Sequence, residues 1–245
     1  MNRQAQAVVM VLLGGAILKV TLIGDVYLRY VKEGLRPFLI LAGIVLLAAA
    51  VMTLYYEFRH GTVVDTECAD HDDEHDHAKH AEPKAGWMII GPVLGLLLVA
   101  PPAMGAYAAG QAGTALSAVA ESDFAPLPAG DPAEISVLDY ASRAIFDNGV
   151  SMRGRQVKLT GFLTTGADGR QILARMILSC CAADARPIKV AFAGDGPTGL
   201  ADDSWVEIVG SYSDKVSVDD VNGEKIPFID VAEWRQVDAP KQQYE

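Results

Sequence analysis

Basic residues are few in this chain of 245 residues. Its 20 Lys and Arg stand against 31 Asp and Glu, which gives a formal net charge of −11 at pH 7. Binding of nucleic-acid phosphates requires clustered Lys and Arg, and no such cluster occurs along the sequence. The composition therefore argues against a nucleic-acid partner.

Groups on which enzyme catalysis depends are also scarce. All five histidines lie between His60 and His80, so the C-terminal half of the chain offers no imidazole as a general base. That half contains no Ser/His/Asp arrangement and no P-loop glycine motif, and the three cysteines of the chain form no Cys-x-x-Cys motif. We therefore expect that the protein is not an enzyme and has no catalytic residues.

Apolar residues, in contrast, are abundant and concentrated. They make up 51% of the chain, and a membrane-spanning helix needs about 20 of them because the hydrocarbon core is about 30 Å thick. Three segments meet this requirement, at residues 7–31, 37–56 and 87–109. Lys19 and Asp25 interrupt the first segment, whereas the other two contain no charged residue. The sequence predicts three transmembrane helices in contact with membrane lipid.

A cleaved signal peptide is the competing interpretation of the first segment. It is disfavoured because Gly14, Gly15 and Ala16 lie inside the apolar run and no Ala-x-Ala-like cleavage site ends it. Lys and Arg are nearly balanced between the two sides, so the positive-inside rule does not decide the orientation. The small-residue linker after the third segment favours an extracytoplasmic C-terminal domain.

The rest of the sequence divides into a loop, a linker and a soluble domain. Residues 60–84 form a loop rich in His and acidic residues, and the Ala, Gly, Ser and Pro of residues 111–134 predict a flexible linker. From residue 135 to 245 we predict a strand-rich domain that opens with a helix ending at Asn148-Gly149. Strands are predicted at residues 156–164, 171–182, 187–193, 205–212 and 226–236. Five short strands indicate a small all-β or α+β domain, for which a five-stranded OB-like barrel is one solution.

The loop between the second and third predicted spans concentrates residues that ligate metals. Imidazole and thiolate are common ligands of Zn²⁺, and the nearby carboxylates raise the local cation concentration. We predict that this loop binds a divalent metal ion, with zinc as the candidate cofactor, at modest affinity because an unstructured loop must be ordered first. The alternative is a solvated acidic loop whose histidines bind nothing. The predicted ligands are Cys68, His71, His75, His77 and His80.

A second candidate site lies in the C-terminal domain. Cys180 and Cys181 are adjacent, and Asp184 follows them. If the strand predicted at residues 171–182 continues through them, the two thiols point to opposite faces, and a disulfide between them would be strained and easily reduced. Cys180 is then either a small buried hydrophobe or a ligand. The three residues together form a candidate metal site, and a redox-active thiol near Arg175 is the alternative.

Short motifs along nearly the whole chain resemble one family. They are Leu35–Leu39, the His/Asp-rich loop before a proline-containing third span, Met176–Ala185, Asp203–Gly210, Ile226–Ile229, and the stretch from Pro240 to Glu245. In these motifs the chain resembles the YcgQ-like bacterial membrane proteins, which are described as permease subunits, and the Cys-Cys-x-Ala-Asp run is the most specific of them. The resemblance implies a few N-terminal spans, a C-terminal domain of unknown function and a larger polytopic permease subunit as partner.

These features predict a multi-pass protein of the bacterial cell membrane. Three helices are few for a transport pathway, since transporters commonly enclose their sites between repeated helical halves. We therefore expect a non-catalytic subunit of a membrane permease that handles a divalent metal such as zinc. Two alternatives stay open: a membrane-tethered thiol redox protein that uses Cys180 and Cys181, and a structural tether that binds a partner protein.

Overall fold

The computed structural model describes residues 3–60, 102–116, 124–166 and 168–245, together with Gly91 and Gly95. The chain divides into two compact units. The first unit comprises Met1–Tyr27 and Gly34–Pro101, and the second comprises Leu28–Glu33 and Pro102–Glu245. The middle of the short segment between the first two helices is thus part of the C-terminal unit.

Two apolar helices form the first unit where the structure describes it. Helix α1 spans Arg3–Leu22 and helix α2 spans Arg36–His60. They approach closely where side chains are absent, because a Cβ atom on Gly14 would lie 3.0 Å from the carbonyl oxygen of Gly43. Small residues at a crossing permit the tight backbone packing through which apolar helices associate in membranes.

Large apolar side chains on α2 are exposed. They include Phe38, Leu41, Ile44, Val45, Val51 and Met52. A continuous apolar surface of this kind is rare on soluble proteins and indicates cover by lipid or by another protein. Among the described residues, the helical stretch Glu33–Arg59 is the one that is long and apolar enough to cross a membrane, a property shared by signal sequences near an N-terminus. The apolar part of α1, Gln6–Leu22, is shorter.

The predicted membrane spans need correction. The first, residues 7–31, is too long because α1 ends at Leu22 and Gly24 adopts a left-handed conformation with φ 83°, which glycine tolerates at a helix end. Most of the third, residues 87–109, lies outside the described residues, and its described end belongs to the second unit. The part of the chain that the structure describes therefore supports one candidate membrane helix in place of the three predicted.

The second unit is built around a closed β-barrel. Its helices are α3 (Ala106–Gln111) and α4 (Val137–Phe146). Its strands are β1 (Ala133–Glu134), β2 (Val157–Thr165), β3 (Gln171–Ile177), β4 (Arg186–Ala193), β5 (Trp205–Val218) and β6 (Lys225–Gln236). The order β2-β3-β4-β6-β5 is closed by pairing of β5 with β2. Within this ring all neighbours are antiparallel except β4 and β6, and the short β1 adds a parallel pairing to β2. The five-stranded barrel is consistent with the OB-like prediction.

Alternating side chains of the strands fill the barrel. Leu159 and Leu163 of β2 and Ile208 of β5 are fully buried in one core cluster, to which α4 contributes Tyr140. The Tyr140 hydroxyl donates a hydrogen bond to the carbonyl of Phe228 at 2.6 Å, so the helix is held to β6 by a polar contact as well as by apolar packing.

Both ends of α4 follow from its sequence. The Ser136 hydroxyl accepts the Asp139 N–H at 2.9 Å and caps the first turn. After the helix, Asn148 and Gly149 both have positive φ, at 48° and 69°. The Asn-Gly pair therefore ends the helix as predicted.

Part of the linker predicted at residues 111–134 is packed, whereas residues 128–131 are exposed. Thr114, Ala115 and Leu116 are buried, and the Ala115 N–H donates to the carbonyl of Pro187 at the start of β4 with an N–O distance of 3.0 Å. Small side chains predict a flexible segment only where the main chain makes no contacts with the rest of the fold. Here the small side chains allow the main chain to approach β4 closely. These three residues are therefore packed against the barrel, while the flexibility of the linker as a whole stays a prediction and residues 117–123 lie outside the described part.

A candidate metal site in the turn after β3

A short turn after β3 brings three candidate ligands together. The strand ends at Ile177, and a 3-10 turn at Ala182–Asp184 follows the two cysteines. One ligand atom from each of Cys180, Cys181 and Asp184 lies within 4.8 Å of the other two. These distances allow one cation to contact all three residues.

The predicted strand over residues 171–182 is too long, and its early end changes the geometry of the cysteines. Because the chain leaves the strand before Cys180, the alternation that sends successive side chains to opposite faces does not apply to the two thiols. Cys180 is exposed and Cys181 is half-buried, and both are free thiols. The interpretation of Cys180 as a buried hydrophobe is therefore wrong.

The Asp184 carboxylate organises the turn. It accepts the N–H groups of Ser179 and Cys180 at 3.0 and 2.9 Å, and the Cys180 Sγ donates to it at 3.0 Å. The hydrogen bond from the Cys180 thiol is the largest cause of a lowered pKa of the Asp184 carboxyl, followed by the Cys180 N–H. The carboxylate is therefore ionised at neutral pH and places a negative charge beside the thiols.

The same contact governs the Cys180 thiol. Its hydrogen bond to Asp184, with a second contribution from Cys181, raises the pKa of Cys180 to about 11. Reactive and redox-active thiols have lowered pKa values, so this environment is opposite to the one that activates a nucleophile. Metal binding requires loss of the thiol proton, and a divalent cation at this position would compensate the negative charge that now holds the proton on sulfur.

Arg175, the positively charged residue that the redox alternative places near the thiols, makes its contacts with other groups. The Arg175 Nη2 donates to the carbonyl of Gln242 at 2.8 Å, and its Nε lies 3.7 Å from the Glu245 carboxylate. The guanidinium also lies over the Trp205 ring, 4.8 Å from its centroid. Arg175 thus serves the packing of the barrel surface, and the charged group beside Cys180 is the carboxylate of Asp184.

A segment from far upstream lies against the turn. We call residues Leu28–Glu33 the strap, because Val31 within it forms an isolated antiparallel bridge with Cys181. Two main-chain hydrogen bonds flank this pair, with N–O distances of 2.7 and 3.2 Å. Sequence reasoning missed the strap, since four of its six residues fall in the predicted first span and a main-chain contact leaves no pattern in side chains.

The barrel and the turn fall within the part of the chain that matches a family model. Residues 139–245 match the DUF1980 C-terminal domain. This family of unknown function thus covers most of α4, the five barrel strands and all three ligands of the turn, whereas the strap and α3 lie outside the match. No curated protein and no solved structure matches the chain significantly.

The other predicted ligands cannot be compared with the turn. Cys68, His71, His75, His77 and His80 lie outside the described residues. Their role in metal binding stays a prediction.

A groove on the second unit is another concave surface. It lies beside the β2–β3 and β5–β6 turns, has a volume of about 640 Å³, and includes Ile172 and Phe228 in its lining. OB-type barrels often bind ligands near such loops. Here, however, Lys189 in the groove is paired with Asp219 at 2.9 Å, and Gly110 of α3 forms part of the wall. The turn is the stronger candidate because its thiols are free.

Proposed function

We propose that this protein is a membrane-anchored, non-catalytic subunit that binds a divalent metal ion, with zinc as the best candidate, through Cys180, Cys181 and Asp184. The observation that carries the proposal is the convergence of two free thiols and one ionised carboxylate within 4.8 Å. Thiolate sulfur and carboxylate oxygen are both common in zinc sites, and the thiols favour zinc over magnesium or calcium.

The number of ligands supports a site that exchanges its ion. Zinc in structural sites is usually held by four protein ligands, whereas three protein ligands leave one position open. The exposed side of the turn, where Cys180 lies, is the natural place for a fourth ligand from water or from a partner. Such a site suits transfer or sensing of an ion.

A role beside a permease rests on the resemblance to YcgQ-like proteins and on the apolar surface of α2. That surface requires lipid or protein cover, and one candidate membrane helix among the described residues is too few to enclose a transport pathway. From the three apolar segments of the sequence and this resemblance, we propose a multi-pass protein of the bacterial cell membrane that works with a larger polytopic permease subunit. The small residues that follow the third segment favour an extracytoplasmic C-terminal domain.

Zinc titration of the full chain in detergent, in competition with a chromogenic chelator, tests this function. We expect that Cys180→Ser, Cys181→Ser and Asp184→Asn each weaken binding by at least about tenfold, since each removes one of three ligands. Cobalt(II) should give a thiolate-to-metal charge-transfer band with the unsubstituted chain, and the band should decrease in both cysteine variants.

Two controls show whether the turn itself holds the ion. Asp195→Asn removes an exposed carboxylate from a different turn and should leave affinity unchanged. A variant with Cys68, His71, His75, His77 and His80 replaced by Ala separates the His-rich loop from the turn, because it should retain the cobalt–thiolate band. Equal zinc affinity in the unsubstituted chain and the three ligand variants would contradict the proposal, and thiol-dependent function without metal binding would favour the redox alternative.

A further inference from the structure

The strap is bonded to the metal-binding turn on both sides of one ligand. The Lys32 N–H donates to the carbonyl of Cys180 at 3.2 Å, and the Ala182 N–H donates to the carbonyl of Tyr30 at 2.7 Å. Both bonds belong to the residues next to Cys181, so the strap fixes the main chain on either side of that thiol. The turn itself has only the short 3-10 segment Ala182–Asp184 as regular structure.

A buried tyrosine fastens the strap a second time. The Tyr244 hydroxyl donates to the carbonyl of Arg29 at 3.2 Å and accepts the N–H of Met104 at 2.9 Å. Tyr244 is 4% exposed and pairs with Met176 of β3 in a parallel bridge. The strap is therefore held to the barrel at two places, at the turn and at the strand that precedes the turn.

We propose that the strap is a positioning element of the metal site, so that ion binding and strap docking strengthen each other. This inference rests on the proposed function. A turn whose main chain is fixed beforehand loses less conformational entropy when its side chains close on an ion. By thermodynamic linkage, if the docked strap raises metal affinity by some factor, bound metal stabilises strap docking by the same factor.

The position of the strap in the chain gives this coupling a consequence. Residue 28 follows α1 by six positions, and Glu33 precedes α2 by three. Metal binding therefore changes the stability of docking of the segment that joins the two apolar helices. This is the route by which a soluble metal-binding domain can influence helices that contact a membrane partner.

A pair of substitutions at Lys32 tests the coupling in the full chain. Lys32→Pro removes the N–H that bonds to Cys180, whereas Lys32→Ala keeps that N–H and removes the same side chain. The extended conformation that proline favours at the preceding residue suits the bridged Val31. Since one such hydrogen bond contributes about 0.5–1.5 kcal/mol, we expect Lys32→Pro to weaken zinc binding about two- to tenfold and Lys32→Ala to leave it unchanged.

Two further measurements guard against a variant that simply misfolds. Tyr244→Phe deletes one hydroxyl and should also weaken zinc binding. The fluorescence of Trp205 and Trp234 in the barrel should show that this variant is folded. In the unsubstituted chain, zinc should slow hydrogen exchange at the Lys32 and Ala182 amides, and Cys181→Ser should abolish that effect. A purely structural strap would leave the exchange at the Lys32 amide insensitive to zinc.

The outcomes distinguish the inference from the function on which it rests. Zinc binding that is equal in Lys32→Pro and Lys32→Ala, or zinc-independent exchange at Lys32, overturns the coupling and leaves the metal site standing. Absence of zinc binding by the unsubstituted chain overturns both. Weaker binding in Lys32→Pro together with zinc-dependent exchange supports the strap as part of the site.

Discussion

Replacing Asp219 by Ala should lower the free energy of unfolding of the barrel by about 3–5 kcal/mol, because it leaves the buried Lys189 ammonium without its anionic partner. The side chains of Lys189 and Asp219 are 6% and 3% exposed, and they are paired at 2.9 Å. The same carboxylate accepts the N–H groups of Thr114 and Val221 at 2.9 and 3.0 Å. One residue thus holds β4, the segment after α3 and the β5–β6 turn together.

Urea unfolding of the full chain in detergent measures this loss through the fluorescence of Trp205 and Trp234, which lie in β5 and β6. The matched control is Asp220→Ala, which removes the exposed neighbouring carboxylate and should change stability by no more than about 0.5 kcal/mol. The double variant Lys189→Met with Asp219→Asn should recover part of the loss, since no charge is then buried alone. Equal stability of Asp219→Ala and Asp220→Ala would contradict the prediction.

The same pair gives the stability of the barrel a pH dependence. Burial raises the pKa of Asp219, but the hydrogen bond from Lys189 and those from two main-chain N–H groups outweigh it, so the pKa lies below its ordinary value of 3.8. A carboxyl with a lowered pKa in the folded state stabilises the fold above its unfolded pKa, and this stabilisation is lost as the pH falls. The decrease below about pH 4 should be smaller in Asp219→Ala than in the unsubstituted chain.

Glu245→Ala should lower the free energy of unfolding by about 2–4 kcal/mol, because Glu245 has two structural roles. Its carboxylate oxygens accept the N–H groups of Val137 and Leu138 at 3.0 and 3.1 Å, and so satisfy the first turn of α4. Its Oε1 also lies 3.7 Å from Nε of Arg175, a guanidinium that is largely buried. Alanine would leave both the helix end and the guanidinium without these partners.

Urea unfolding also tests this second prediction, with Glu245→Gln as the matched control. Glutamine keeps one acceptor oxygen for the helix and removes the charge, so its loss of stability should lie between those of Glu245→Ala and the unsubstituted chain. No measurable loss in Glu245→Ala would show that solvent or another group replaces the carboxylate.

The strands of the barrel could be predicted from the sequence because their apolar and polar side chains alternate. Strand β4 was predicted almost to the residue, since Ile188, Val190 and Phe192 alternate with less apolar neighbours. Strand β3 was predicted too long because apolar residues continue after Ile177, where the chain already turns. Composition could not locate that end, which depends on the Asp184 carboxylate that holds the turn.

The three residues of the candidate site could be predicted from the sequence, whereas the segment that lies against them could not. Cys180, Cys181 and Asp184 carry metal-ligating groups, and that chemistry is visible in any sequence. The strap is visible only in three dimensions, because it contacts the turn through main-chain groups that every residue has. The packing of Thr114 and Ala115 was missed for a related reason, since small polar and apolar residues are common both in linkers and in tight contacts.

The folding unit of this protein is larger than the region that its family match delimits. A fragment cut at residue 139 would lose the strap, α3 and the main-chain partner that Thr114 offers to Asp219. These pieces come from stretches of the chain separated by long intervals in sequence, yet they belong to the same compact unit as the barrel. A split version of the protein, in which residues 28–33 are supplied as a free peptide, would therefore lose the docked strap. Association of a separate peptide costs translational and rotational freedom that a few hydrogen bonds do not offset, so the covalent link through the chain is what keeps the strap at a high effective concentration beside the barrel.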